Sequence, residues 1–482
     1  MNRIVGLETE YGCLSSDPAG PPAAVERVRN WFFEKHRLGL ADMHQRDWDE
    51  PVGNGGFLFN GGRCYVDMGH LEICTPECLS LRDLLRYDRA GDDMLTAATH
   101  DLDLAERISF VRNNVDYYSG ATFGCHENYL VRRGAPLNEA NVQSLLAFLT
   151  LRVLYTGAGR VRASPGAEAR GDIVKLPMAE SDFQISQRAD YINNDLFEWV
   201  QFNRAIINTR DEPLADPRRF RRLHLLHGDT SVLPATLALK CGTTSLVLDL
   251  LEINKLPPVA VADAVYAFRA LSHQPDGPWR VQLADGLEVS AVEVLQQFQV
   301  AAQREFRGRD AETDALLGIW DDVLRDLDGN VENLVGIVDW VTKRWLYTQF
   351  LTAENLPWTD PWLRAQDLEF HAVDPARNLA WPLARTTEPW VISPEEQHAA
   401  LLTPPADTRA AARSQVMRLL EPETFRYFVD WDMLEVEGAE PLQLLDPFRD
   451  QAPEAAAWMK RVAVQRARIE RESRLPTSLG AP

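Results

Sequence analysis

The sequence contains no apolar run approaching the ~20 residues that a membrane-spanning helix needs, which excludes a helical membrane protein. It also lacks a secretory leader: the opening MNRIVGLETEYG goes straight into strand-like alternation, so a cytoplasmic location is expected. Positive charge is in deficit. Fifty Lys and Arg face 71 Asp and Glu, a formal charge of −21, which argues against general binding to nucleic acid or anionic lipid. Cysteine is scarce. The six residues (Cys13, Cys64, Cys74, Cys78, Cys125, Cys241) include one C-x3-C pair without a second pair at metal-ligand spacing, so reduced structural thiols are expected. No P-loop, GxGxxG turn, GxSxG elbow or internal repeat occurs. The remaining composition, 45% hydrophobic and 25% charged, is that of a globular chain able to close a large core.

Alternation over Ile4–Tyr11 predicts a strand with Glu8 and Glu10 on one face. Val25, Val28 and Phe32 predict a helix from Pro21 to about His36, and the polar, Gly-rich Gln45–Gly56 reads as a mobile loop. Phe57–Phe59 and Arg63–Asp67 flank Asn60-Gly61-Gly62 as a hairpin. Ser80 with Asp83 opens a helix to about Ala98, and another runs over Leu137–Leu154. Strands are expected at Ile108–Arg112, Thr122–Val131, Ala205–Asn208 and Leu223–Leu226. Later, Ser290 and Glu293 form a capping-box pattern, and Asn333–Leu351 reads as one long helix. Strands early and helices late point to an α+β fold. The Pro-rich break Thr403-Pro404-Pro405 divides it into a large unit over 1–402 and a small C-terminal domain over 403–482, with a charged tail after Lys460.

Four segments carry candidate chemistry. Glu8 and Glu10 project together and can share a hard cation such as Mg²⁺. Arg63, Tyr65 and Asp67 share a strand face, where an arginine can clamp phosphate and a carboxylate can act as base or nucleophile; Glu72 and Glu77 add possible metal oxygens. Asn113, Asn114 and His126 suit polar ligand contacts near strand ends. Arginines at Arg188, Arg210, Arg218, Arg219, Arg221 and Arg222 are dense for so acidic a chain, which fits a pocket for an anion.

Taken in order, these segments resemble the Pup ligase and depupylase family. The likeness runs from GLETEYG (Gly6–Gly12), RCYVD (Arg63–Asp67) and HLEICTPEC (His70–Cys78) through GCHENYL (Gly124–Leu130), ISQRADYI (Ile185–Ile192) and IINTRDEP (Ile206–Pro213) to VDWD (Val429–Asp432). The resemblance implies a glutamine-synthetase-like domain, with nucleotide on a curved antiparallel sheet packed with helices, plus the small C-terminal domain. It implies ATP, or ADP plus phosphate, and Mg²⁺ as cofactors, with Pup or a Pup-like protein and pupylated substrates as partners. Carried over by motif, Glu8, Tyr65 and Glu72 would hold Mg²⁺, with Glu10, His126 and His224 beside them. Arg63, Thr75, Trp431 and Arg210 would contact nucleotide, and Asp67 would be the catalytic carboxylate.

Within that family, the spacing of Asp67 and Glu72, the wording of ISQRADYI and the segment around Arg46, Trp48 and Pro51 are nearer the depupylases. The expectation is therefore a hydrolase acting on the C-terminal Gln or isopeptide bond of Pup. A phosphohydrolase using the same Asp67 site, a Pup–protein ligase and an inactive Pup-binding regulator are the alternatives. Leu214 and the stretch Thr230–Pro234 depart from the family pattern, so substrate-facing positions drift while metal and nucleotide positions persist.

Overall fold

The computed structural model describes residues 1–47, 50–162, 182–198, 204–385, 389–420 and 425–473. Trp48 and the end of the charged tail lie outside the described residues.

The chain opens with β1 (Val5–Ser15), whose Val5, Leu7 and Tyr11 are buried, and α1 (Gly20–Phe33), which buries Val25, Val28, Trp31 and Phe32. Then come β2 (Gly39–Ala41), β3 (Gly55–Leu58), β4 (Arg63–Asp67), β5 (His70–Cys74), α2 (Leu81–Asp101) and β6 (Ile108–Val111). Next are β7 (Cys125–Arg132), α3 (Glu139–Leu151), α4 (Val153–Thr156) and a short pair, β8 (Arg160–Val161) with β9 (Phe183–Gln184). The first half ends with β10 (Asn194–Phe197), β11 (Ala205–Asn208), β12 (Phe220–Leu225) and α5 (Pro234–Glu252). One sheet runs β10-β11-β12-β7-β1-β5-β4-β3-β2, with β6 pairing the far end of β1. Every neighbour pair in it is antiparallel except β10 with β11. The fold is α+β.

Helices pack on the inner face. Val5, Leu7, Tyr11, Leu71 and Tyr129 enter one large core with residues of α2, α3 and α5. The sequence pattern did not announce α5, because it is buried on all sides, polar Lys240, Thr243 and Thr244 included, and so has no periodic apolar stripe; such a helix belongs in an interior. Ser80 accepts from the Asp83 N–H as expected, and α2 continues to Asp101.

Other boundaries moved. The helix expected over Asn333–Leu351 is a short 3₁₀ turn (Val331–Leu334), a break at Gly336 with φ +83°, and an α-helix from Asp339 to Glu354. A residue at positive φ ends the helical path, and glycine is the one that adopts it without strain. Ser290 caps the helix Ala291–Phe306 by accepting from Glu293 N–H, without the reciprocal bond of a capping box among the described residues. The strands expected from Thr122 and Leu223 begin instead at Cys125 and Phe220.

In the segment between β2 and β3, Arg46 is tied both to the loop's base and to the C-terminal segment. Arg46 pairs with Asp42 at 2.8 Å and with Asp430 at 3.3 Å, and also donates to the Val429 carbonyl. The C-terminal segment carries a three-stranded sheet (Tyr427–Val429, Met433–Val436, Leu442–Gln443) and a helix over Ala452–Ser473. Its core includes Leu40, Phe57 and Phe59 from β2, β3 and the turn after them, so it closes over the sheet edge.

Candidate active site

The face of the sheet opposite the large core is polar, and its side chains meet because of register. Glu10 stands opposite Glu72, Glu72 opposite Tyr65, and Asp67 opposite His70. On the other flank Glu8 faces His126, and His224 faces Asn128. Directly opposed residues in antiparallel strands share a face, so residues distant in sequence, such as Glu8 and His126, become neighbours.

The tight turn between β4 and β5 makes this possible. Met68 (φ +43°) and Gly69 (φ +93°) both sit in the left-handed region, the pattern of a type I′ hairpin turn. Methionine at the first of those positions hid β5 from the sequence reading. Gly124 has a comparable role: a Cβ there would lie 2.5 Å from His126 Nε2 and 2.8 Å from Glu10 Oε1. A side chain would fill the space between the two flanks.

Two clusters result. In the first, His126 Nδ1 lies 3.1 Å and His224 Nε2 3.6 Å from Glu8 Oε2, while Asn128 donates to Glu8 Oε1 at 2.9 Å. In the second, Glu10, Asp67 and Glu72 bring carboxylate oxygens within 4.8 Å of one another. Tyr65 donates its hydroxyl to Glu72 Oε1. Five of the six metal residues named from the sequence divide between a carboxylate–imidazole cluster (Glu8, His126, His224) and an all-carboxylate cluster (Glu10 and Glu72, with Asp67); Tyr65 belongs to neither and donates to Glu72 instead.

The electrostatics suit a divalent cation. Burial, with the neighbouring Glu8, Glu10 and Asp67 charges, holds the Glu72 carboxyl well above its usual range. Burial also raises Tyr65, which stays a neutral donor. At Glu8 burial pushes upward, but hydrogen bonds from His126 and His224 outweigh it and keep the carboxylate ionised. Burial lowers His224 to about 4, so its imidazole is uncharged at neutral pH and can offer a lone pair. Oxygen-rich clusters of this kind suit Mg²⁺.

Mg²⁺ is accordingly expected to raise the thermal midpoint of the free protein by mass action. Glu10→Gln and Glu72→Gln should each remove most of that shift, because each deletes a clustered charge. The effect should also fade as pH falls, since a proton competes for Glu72. A midpoint unmoved by saturating Mg²⁺ would count against a cation site here.

Beside the clusters a cavity of about 150 Å³ opens under the C-terminal segment. Glu8, Arg63, Tyr65, Thr75 and Trp431 line it, as do Ile4 and Leu130. Trp431 stands edge-on to Phe57 at 5.1 Å, and Thr75 accepts from Leu7 N–H at 3.0 Å, which fixes the cavity floor to β1. Arg63 pairs with Asp42 at 3.1 Å and with Glu50 at 2.5 Å, so acidic groups of the β2–β3 loop occupy its guanidinium.

Arg210 is not brought into this cavity. Its side chain is 56% exposed and pairs with Glu212 at 2.7 Å on the loop after β11. Glu77 is no metal oxygen either: it accepts from Arg409 at 2.6 Å and from Arg413 at 2.6 Å. Arg409 itself lines the cavity, a position that the sequence did not mark. All six cysteines are free thiols.

Of the arginine cluster, Arg188 is the interior member, 3% exposed. Its Nε and Nη1 find no hydrogen-bond acceptor among the described residues. Burial lowers its pKa while the Glu10 charge works the other way. Asp229 fixes this loop by accepting from Ala158 N, Gln187 N, Arg188 N and Ser186 Oγ, at 2.8–3.1 Å. A buried guanidinium whose donors have no acceptor among the described residues, close to the Glu10 charge, suits an anion.

No described helix is long and apolar enough to cross a membrane. Comparison with known proteins agrees with the architecture. The chain is 34% identical to the depupylase of Acidothermus cellulolyticus over 492 aligned positions, covering 93% of this chain and 95% of that protein. It is equally 34% identical to the Pup–protein ligase of Kineococcus radiotolerans, covering 93% and 96%. The structure of the ligase PafA in complex with the ubiquitin-like protein Pup superposes with a TM-score of 0.81 at 29% identity, covering 99% of this chain and 96% of that one. PafA in complex with ADP gives 0.74 at 29% identity, covering 91% and 94%. Residues 3–435 match the Pup-ligase protein family, and the chain belongs to that family of enzymes.

Proposed function

We propose that this chain is an ATP- and Mg²⁺-dependent enzyme that hydrolyses the amide at the C-terminal residue of Pup, releasing ammonia from a terminal Gln or an amine from an isopeptide bond. The observation that carries this reading is the convergence of Asp67, Glu10 and Glu72 beside a cavity lined by Arg63, Thr75 and Trp431. Relatives of equal identity are a depupylase and a Pup ligase, and a PafA structure holds ADP.

The residues fit divalent cations, held by Glu8, His126 and His224 on one flank and by Glu10, Glu72 and Asp67 on the other. A cation there would neutralise the carboxylates and polarise phosphoryl oxygens. The protein's own part is positional. Arg188 supplies free N–H donors to an anion, His224 stays neutral beside Glu8, and Asp67 stands on the β4 end, half exposed, where a substrate tail can reach it. Asp67 would act as nucleophile or as base on water. In either case water adds across the C–N bond, the carbonyl carbon keeps the hydroxyl and the nitrogen leaves with the proton.

The ligase reading rests on the equal identity to the Kineococcus enzyme. One assay separates the two. Protein, ATP and Mg²⁺ are incubated with Pup ending in Gln, with Pup ending in Glu, and with a pupylated substrate, following peptide mass and phosphate. Free Pup and a one-dalton gain on Pup-Gln are expected. Conjugates accumulating with stoichiometric ADP would transfer the assignment to ligation, and phosphate release indifferent to Pup would make the enzyme a phosphohydrolase.

A further inference from the structure

A second cavity lies behind the polar sheet face, between α2, the segment joining β12 to α5, and two short pieces, residues 381–385 and 390–392. At about 320 Å³ it exceeds the cavity under Trp431, and it falls in the ~300–1,000 Å³ range of small-molecule sites. Its walls are apolar, chiefly Leu85, Val232, Leu237, Trp390 and Ile392.

Three polar features break that apolar lining. The Ser231 hydroxyl is 2% exposed and has no hydrogen-bond partner. The Trp381 indole N–H is likewise buried and unpartnered. Arg385 is exposed at the rim and makes no ion pair among the described residues. The other charges at the cavity are balanced. Asp88 takes two bonds from Arg112, and Arg89 pairs with Asp92 at 2.8 Å while lying over the Trp381 ring at 3.9 Å. Two donors and one cation without a partner among the described residues, around an apolar body, suit a small molecule with an apolar chain or ring and one carboxylate.

We infer that this cavity is a regulatory site for a small amphipathic carboxylate. The route to the polar sheet face is short: two residues of backbone, then the hydrogen bonds that Asp229 accepts from the Arg188 segment. Ser231 and Val232 line the cavity, and Val232 N–H and Leu233 N–H are anchored on Asp339 at 2.7 and 3.0 Å. Two residues upstream, Asp229 gathers the backbone that carries Arg188. A ligand that engages Ser231 therefore acts on the segment that sets where Arg188 stands. The effect on turnover rests on the function proposed above; the binding does not.

The test uses the full chain with octanoate and 3-phenylpropionate as probes and their primary amides as neutral controls. Binding is read by ligand-observed NMR and by crystals soaked with each probe. Both carboxylates are expected in the cavity, with the amides binding about fivefold or more weakly, as loss of a charged hydrogen-bond partner predicts. Leu237→Trp fills the cavity and should abolish binding; Ser231→Val and Arg385→Ala test it without a bulky insertion, and each should weaken the carboxylates. Saturating probe should change turnover of a Pup substrate about threefold or more, in whichever direction the Arg188 loop is displaced. Soaked crystals showing only ordered water in the cavity, or binding indifferent to both Ser231→Val and Arg385→Ala, would overturn the assignment. Binding without any change in turnover would keep the site and remove its regulatory role.

Discussion

Asp67→Asn is expected to lower turnover of a Pup substrate by about 10²–10⁴-fold while leaving nucleotide affinity within about twofold of the parent. The separation of the two effects follows from position. Asp67 lies in the carboxylate cluster with Glu10 and Glu72, but it does not line the cavity that holds Arg63, Thr75 and Trp431. Asparagine preserves volume and removes the basic, nucleophilic oxygen. It also removes one of the charges that raise Glu72, so the cation-free variant should melt no lower than the parent. A site that is more stable once its reactive group is deleted is a common mark of function bought against stability. Calorimetric titration with ADP and a mass-resolved Pup assay make the measurement. Retention of a tenth or more of the parent rate would remove Asp67 from the chemistry.

Glu77→Gln should have the largest effect on stability. Glu77 is a buried anion between two buried guanidiniums, with Arg409 at 2.6 Å and Arg413 at 2.6 Å, and Arg413 also donates to the Gly61 and Trp431 carbonyls. It thus joins the segment after β5 to the C-terminal segment that carries Trp431 into the cavity. Removing one partner from such an arrangement costs about 3–5 kcal/mol, because the remaining charges stay desolvated. Nucleotide binding should weaken as well, since Glu77, Arg409 and Trp431 all line the cavity.

The pH dependence has a definite sign. Burial alone would raise the Glu77 carboxyl, but Arg413 and Arg409 overcome it and lower it to about 2. A carboxyl depressed in the folded state stabilises fully above its unfolded value. That contribution, about 3 kcal/mol, is lost as pH falls from about 4.5 toward 2. Glu127, lowered to about 2 mainly by Arg152 against its burial, adds a loss in the same window. Urea denaturation across this range should show the parent losing more stability than Glu77→Gln. Equal losses in the two proteins would mean that the clamp contributes nothing to acid sensitivity.

Much of the polar sheet face was legible residue by residue. Strand alternation put Glu8 with Glu10 and Arg63 with Tyr65 and Asp67, and both groupings hold in the sheet. The Asn60-Gly61-Gly62 turn is present, with Gly61 at φ +89° and a Cβ there only 2.7 Å from the Ala410 methyl. Arginines were harder. Arg188, Arg210 and Arg222 look alike in a sequence, yet Arg188 is interior, Arg210 lies on the surface with Glu212, and Arg222 lines the cavity. Nothing local distinguishes them, because burial of a long side chain depends on what packs above it.

The sequence alone determined which chemical groups are available, that they lie on alternating strand faces, and the family to which the order of motifs belongs. Those properties are local: a period of two residues, a cap, a turn residue, a motif. Tertiary structure decided which carboxylates stand together, which arginine keeps donors without an acceptor among the described residues, and that Glu77 pairs with Arg409 and Arg413 at the cavity. These are consequences of register between strands distant along the chain and of the C-terminal segment folding back over the sheet. A one-residue slip in β5 would turn Glu72 to the opposite face with no change in sequence, which is why only the pairing of strands could settle it.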